Sequence, residues 1–80
     1  MENKALNLIK EELENENLIV DSVNYVVEDN VKYLRIIIDK EGFVTSEDCV
    51  KATKIINPII DEANIIDESY VLDVCSKERG

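Results

Sequence analysis

The 80-residue chain has no histidine and no tryptophan, and it contains only two glycines, one proline and two cysteines. Without histidine it lacks the usual general base of enzymes and the commonest metal ligand. The single internal glycine, Gly42, cannot build a glycine-rich phosphate loop. No apolar run approaches the roughly 20 residues that span a bilayer, and the first residues do not form a signal peptide. These absences predict a non-enzymatic cytoplasmic domain without cofactor, metal or membrane contact.

Basic residues are also scarce, with 9 Lys and Arg against 18 Asp and Glu, which gives a net charge of -9. A protein with this charge repels phosphate at long range, so direct sequence-specific binding of nucleic acid is not expected. Acidic surfaces attract basic partners and accelerate encounter with them, but they also keep a small domain in solution. The composition alone leaves both roles open.

The two cysteines, Cys49 and Cys75, lie too far apart in sequence to form a CxxC motif. In a reducing cytosol, isolated cysteines are most often small apolar residues of the core. We therefore expect both to be core residues.

The spacing of apolar residues predicts five elements. The first three are a helix over 3–16 and two strands, over 23–27 and 31–39, joined by a turn at 28–30. A second helix starts after Thr45, kinks at Pro58 and ends near Asn64, and a third strand covers 70–75. This α-β-β-α-β order predicts a two-layer α+β domain over residues 1–76, with both helices on one face of a three-stranded sheet and a polar tail over 77–80. The third strand can lie beside either strand of the hairpin.

Four acidic residues are expected to cluster where the second strand leads into the second helix: Asp39, Glu41, Glu47 and Asp48. The segment superficially resembles a calcium loop, but the first ligand position is occupied by Ile37, and a strand rather than a helix precedes it. The segment is therefore interpreted as an acidic turn that leads into a helix capped by Thr45, with Asp48 at capping-box spacing. If the domain binds a basic partner, we expect these four carboxylates to be the contact residues.

A family resemblance agrees with this interpretation. The stretch 33–49, YLRIIIDKEGFVTSEDC, resembles the LRVYIDKPGGVTLDDC stretch of the bacterial ribosome maturation factor RimP, in its N-terminal domain, and 69–76, SYVLDVCS, is similar to the family's SYTLEVSS. Phe43 stands where the family usually has glycine. Members of the family continue into a C-terminal SH3-like barrel, and whether this sequence is a piece of such a protein or a short relative stays open.

The resemblance implies a cytoplasmic, non-enzymatic factor that binds the small ribosomal subunit precursor, including a basic small-subunit ribosomal protein. Two alternatives remain. The order of elements is similar to that of a type II KH RNA-binding module, although the GxxG loop that such a module needs is missing. The domain could instead be a protein-interaction module, monomeric or weakly dimeric through a sheet edge or through the second sheet face with Tyr33 and Ile37.

Overall fold

The computed structural model describes residues 2–64, 66 and 68–77 of the protein. The elements in this part of the chain are α1 (Glu2–Glu14), β1 (Ile19–Glu28), β2 (Val31–Asp39), α2 (Ser46–Ala63) and β3 (Val71–Ser76). They confirm the predicted α-β-β-α-β order and the α+β class. The domain boundary at residue 76 stays a prediction, and residues 78–80 of the expected tail lie outside the described residues.

Helix α1 buries one face and ends earlier than the sequence pattern predicts. Ala5, Ile9 and Leu13 follow each other at intervals of four and are fully buried. The backbone N–H of Leu18 donates to the carbonyl of Leu13 at 2.9 Å, and Asn17 has a left-handed φ of 63°. This is a Schellman ending, in which an asparagine reverses the chain because it tolerates that conformation. The helix therefore stops at Glu14 rather than continuing to residue 16.

Strand β2 lies in the centre of a mixed three-stranded sheet with the order β1-β2-β3. It pairs antiparallel with β1 and parallel with β3. The turn between β1 and β2 places Asp29 and Asn30 at φ values of 50° and 66°, as the tightest hairpin turns require. The position of the third strand, which the sequence leaves open, is thus beside β2.

The two faces of the sheet differ in burial. Leu34, Ile36 and Ile38 are fully buried and belong to one core with residues of both helices. On the other face, which we call the open face, β2 presents Tyr33, Arg35 and Ile37, and the residues in register on β3 are Val71, Asp73 and Cys75. The alternation of β2 therefore separates a helix-covered face from an accessible one.

Helix α2 continues through Pro58 and ends at Ala63, close to the predicted end. Ala52, Ile56 and Ile60 form its buried stripe, and Pro58 lies on the exposed side. There, water can satisfy the carbonyl group that loses its intrahelical donor because proline has no N–H. Neither helix in the described part of the chain is both long and apolar enough to cross a membrane.

The end of β3 is attached to the other two strands. The backbone N–H of Lys77 donates to the carbonyl of Ile38 at 2.8 Å, and the Lys77 ammonium lies 3.0 Å from the carboxylate of Asp21, at an irregularity in β1. Since β2 and β3 are parallel, both strands finish at the same edge of the sheet. The loop from β2 to α2 leaves from that edge.

Candidate functional site

The predicted acidic residues lie on the connection between β2 and α2. Asp39 is the last residue of β2, Glu41 is in the loop, and Glu47 and Asp48 are in the first turn of α2. We call the segment 39–48 the acidic loop. The short connection and the reversal of the chain place all four carboxylates at one end of the domain.

A capping box fixes the start of α2. The backbone N–H of Asp48 donates to Oγ1 of Thr45 at 3.2 Å, and the backbone N–H of Thr45 donates to Oδ2 of Asp48 at 2.9 Å. Thr45 has the extended backbone conformation of an N-cap residue, with φ of −95° and ψ of 169°. These two bonds satisfy backbone donors that otherwise lack partners at a helix start, as the spacing of Thr45 and Asp48 in the sequence predicts.

Lys40 completes the polar contacts of Asp48. Its ammonium lies 2.9 Å from Oδ2 of Asp48, and its backbone N–H donates to Oδ1 of Asp39 at 2.8 Å. The hydrogen bond from Lys40, followed by that from the Thr45 backbone, lowers the pKa of Asp48 from 3.8 to about 2. The Asp48 carboxylate is therefore already bonded within the loop, and it holds the loop against the helix.

Glu41 and Glu47 differ from Asp48. Both are exposed, and neither forms an ion pair with any residue in the described part of the chain. Their charges act on solvent and on whatever approaches this end of the domain. Of the four residues predicted from the sequence, these two have carboxylates available for a partner.

The exposure of the Phe43 side chain was not predicted from the sequence. Its side chain is 85% exposed, whereas the neighbouring Val44 packs against the core. Gly42 precedes it with φ of +90°, a backbone conformation that favours glycine. No pattern in the sequence separates Phe43 from Val44, because both are apolar and the loop around them has no regular period.

A shallow crevice continues from the acidic loop along the outer side of α2. It is lined by Ser46, Glu47, Val50, Lys51 and Lys54, and Val50 is 53% exposed. Its Lys51 forms an ion pair of 3.0 Å with Glu16, which lies after α1. The surface beyond Glu47 is thus partly apolar and has mixed charge.

The two cysteines have different surroundings. Cys49 packs against the core as expected, but Cys75 is a half-buried residue of the open face, so the prediction that both are core residues is wrong for Cys75. Burial and the hydrogen bond from its Sγ to Oδ1 of Asp73, 3.3 Å long, raise the pKa of the Cys75 thiol. A raised pKa keeps the thiol protonated, which is the opposite of what a nucleophile needs.

The other polar contacts of the open face join neighbouring strands of the sheet. Arg35 donates through Nε to Oδ2 of Asp73 at 3.0 Å, and its guanidinium lies 3.9 Å from the carboxylate of Glu28. The described residues contain no group of three or more His, Cys, Asp or Glu side chains that could hold a metal ion.

One comparison decides the family. Residues 8–77 match the family described as the RimP N-terminal domain. The chain belongs to the RimP N-terminal domain family. This confirms the resemblance found in the sequence, and it makes the chain a domain of a ribosome maturation factor family that is generally non-enzymatic. The acidic loop lies inside the matched RimP region.

Proposed function

We propose that this RimP-family domain assists maturation of the small ribosomal subunit in the cytoplasm by binding a basic ribosomal protein on the immature particle. The acidic loop, with Asp39, Glu41, Glu47 and Asp48, is the proposed contact surface. The observation that carries the proposal is the pair of exposed carboxylates, Glu41 and Glu47, which have no ionic partner in the described structure. Asp39 and Asp48 add negative charge and hold the loop in place.

Electrostatics support a basic protein as the partner. The net charge of the chain is -9, so a cationic surface is attracted and an RNA backbone is repelled. Exposed charges at the edge of an interface act mainly on the association rate and on its dependence on salt. We therefore expect binding to be transient and weakened by salt.

The test is co-sedimentation of the 80-residue chain with immature small subunits at about 0.05 M and about 0.3 M salt, conditions between which screening of exposed charges increases strongly. In the double variant Glu41→Lys and Glu47→Lys, binding at low salt should become roughly 10-fold weaker, and its dependence on salt should become flatter. Both side chains are exposed, so the variant should fold normally.

A matched control is available at the other end of α2. Asp61→Lys combined with Glu62→Lys makes the same change in net charge at two exposed positions, far from the acidic loop. This control should bind nearly as well as the unchanged chain. Equal weakening by both double variants would show that only net charge matters, and unchanged binding of the first variant would remove the acidic loop as the contact surface.

A further inference from the structure

Phe43 is the most exposed of the large hydrophobic side chains in the described part of the chain. Its exposed fraction is 85%, compared with 60% for Val27 and 53% for Ile19 and Val50. Phenylalanine carries a large apolar surface, and the aromatic residues of docking surfaces often contribute most of the binding energy. The charge of the acidic residues does not account for the exposure of this aromatic ring to solvent, so the exposure requires an explanation of its own.

The structure fixes the backbone on both sides of Phe43. Gly42 makes the turn before it, and Val44 after it packs against the core. Thr45 then closes the capping box with Asp48. Val44 and Cys49 occupy the two positions of a hydrophobic staple and both pack against the core, which favours a fixed entry of the chain into α2. Because the ring is carried on a held segment, little backbone freedom is lost when it binds.

The chemistry around the ring indicates the kind of partner. Glu41 lies two residues before Phe43, and Glu47 lies in the first turn of the helix that follows. Negative charges beside an apolar ring match a cationic surface that contains an apolar pocket, and they oppose stacking of the ring on a base of an RNA chain.

We propose that Phe43 is the apolar anchor of the acidic loop and enters an apolar pocket on a basic protein partner. This inference rests on the proposed function, since it concerns the same end of the domain and the same particle. Glu41 and Glu47 accelerate encounter, whereas Phe43 slows dissociation.

The experiment measures association and dissociation rates of the 80-residue chain on immobilised immature small subunits. Phe43→Ser should weaken binding by about 10-fold to 30-fold, mainly through faster dissociation, with the salt dependence unchanged. Phe43→Leu, which keeps much of the apolar surface, should recover most of the affinity. Val27→Ser is the control, because it removes an exposed apolar side chain from the hairpin end of the sheet, opposite to the acidic loop.

Each outcome has a separate meaning. If Phe43→Ser binds like the unchanged chain while Glu41→Lys with Glu47→Lys binds weakly, the anchor is wrong and the proposed function stands. If neither variant changes binding, both fail. If Phe43→Leu is as weak as Phe43→Ser, and Phe43→Ser also weakens binding to protein-free small-subunit RNA, the ring stacks on RNA and the protein pocket is overturned. Circular dichroism melting of every variant checks that the fold is intact.

Discussion

At the scale of single residues, neighbouring carboxylates of the acidic loop make different contacts. Asp48 receives hydrogen bonds from the Thr45 backbone and from Lys40, whereas Glu47, one residue earlier, is exposed. The difference comes from position in the helix, since only the third helical residue can reach back to the N-cap. Two adjacent acidic residues thus differ in role: Asp48 stabilises the start of the helix, and Glu47 can contact a partner.

The bonds to Asp48 predict a specific dependence of stability on pH. Because its pKa falls from 3.8 to about 2 on folding, the unfolded chain takes up the proton first as the solution is acidified. The stabilising contribution of Asp48 is therefore complete at pH values above 3.8, the pKa in the unfolded chain. It is lost as the pH falls towards about 2, the pKa in the folded chain. Urea unfolding at several pH values should show the unchanged chain to be more stable than Asp48→Asn near neutral pH, with the difference shrinking over that interval. A difference that stays constant with pH would contradict the assignment.

At the scale of elements, both helices end on an asparagine in the left-handed conformation. Asn17 follows α1 with φ of 63°, and Asn64 follows α2 with φ of 50°. The N–H of Asn64 donates to the carbonyls of Ile60 and Asp61 at 3.1 and 3.3 Å. In a chain with a single internal glycine, asparagine takes the role that glycine commonly has at helix ends.

This ending of α2 predicts opposite effects of two small substitutions. Asn64→Ala should lower the free energy of unfolding by about 1 kcal/mol, because alanine is strained in the left-handed conformation. Asn64→Gly should leave stability unchanged or slightly raised, because glycine adopts that conformation without strain. Chemical denaturation of the three proteins provides the measurement. Equal stability of the Ala and Gly variants would mean that the conformation at residue 64 does not limit stability.

At the scale of the whole molecule, a small core carries a large negative charge. The core combines α1, β2 and α2 through Ile9, Ile36 and Ile56, each fully buried. Apart from the better shielded pair of Lys40 with Asp48, the ion pairs in the described part of the chain are accessible to solvent, and each contributes little. Mutual repulsion of the excess acidic residues therefore opposes the compact state more than individual pairs support it.

Salt should consequently stabilise the domain. Raising the ionic strength from about 0.01 M to about 0.15 M shortens the screening length from about 30 Å to about 8 Å and reduces the repulsion. Near neutral pH we expect the melting temperature to rise by several degrees, since about 1 kcal/mol corresponds to roughly 4–8 °C in a domain of this size. Near pH 4.3, where the composition gives a net charge of about zero, the effect of salt should disappear. A fall in melting temperature with salt at neutral pH would show that the surface ion pairs outweigh the repulsion.

Much of this fold can be predicted from local patterns. The alternation of Leu34, Ile36 and Ile38 identifies β2 and its buried face, and Thr45 with Asp48 locates the start of α2. These features depend on side-chain period and on hydrogen bonds between near neighbours, which the sequence contains directly. The family, too, could be recognised from short stretches in the right order.

The position of β3 could not be predicted in the same way. Its apolar alternation fits a place beside either β1 or β2, and the choice depends on how α2 packs when it returns the chain to the sheet. The structure places β3 parallel to β2, and this brings Cys75 to the open face, in register with Ile37.

The sequence by itself determined the order of the elements, the acidic balance and the positions of the four candidate carboxylates along the chain, because all of these follow from residue type and spacing. Only the tertiary structure decided which carboxylates are available, since the Lys40 ammonium also binds Asp48, while Glu41 and Glu47 are exposed. It also decided that Phe43 is displayed while Val44 is buried. Availability depends on what the folded chain places next to a side chain, and spacing along the sequence does not contain that information.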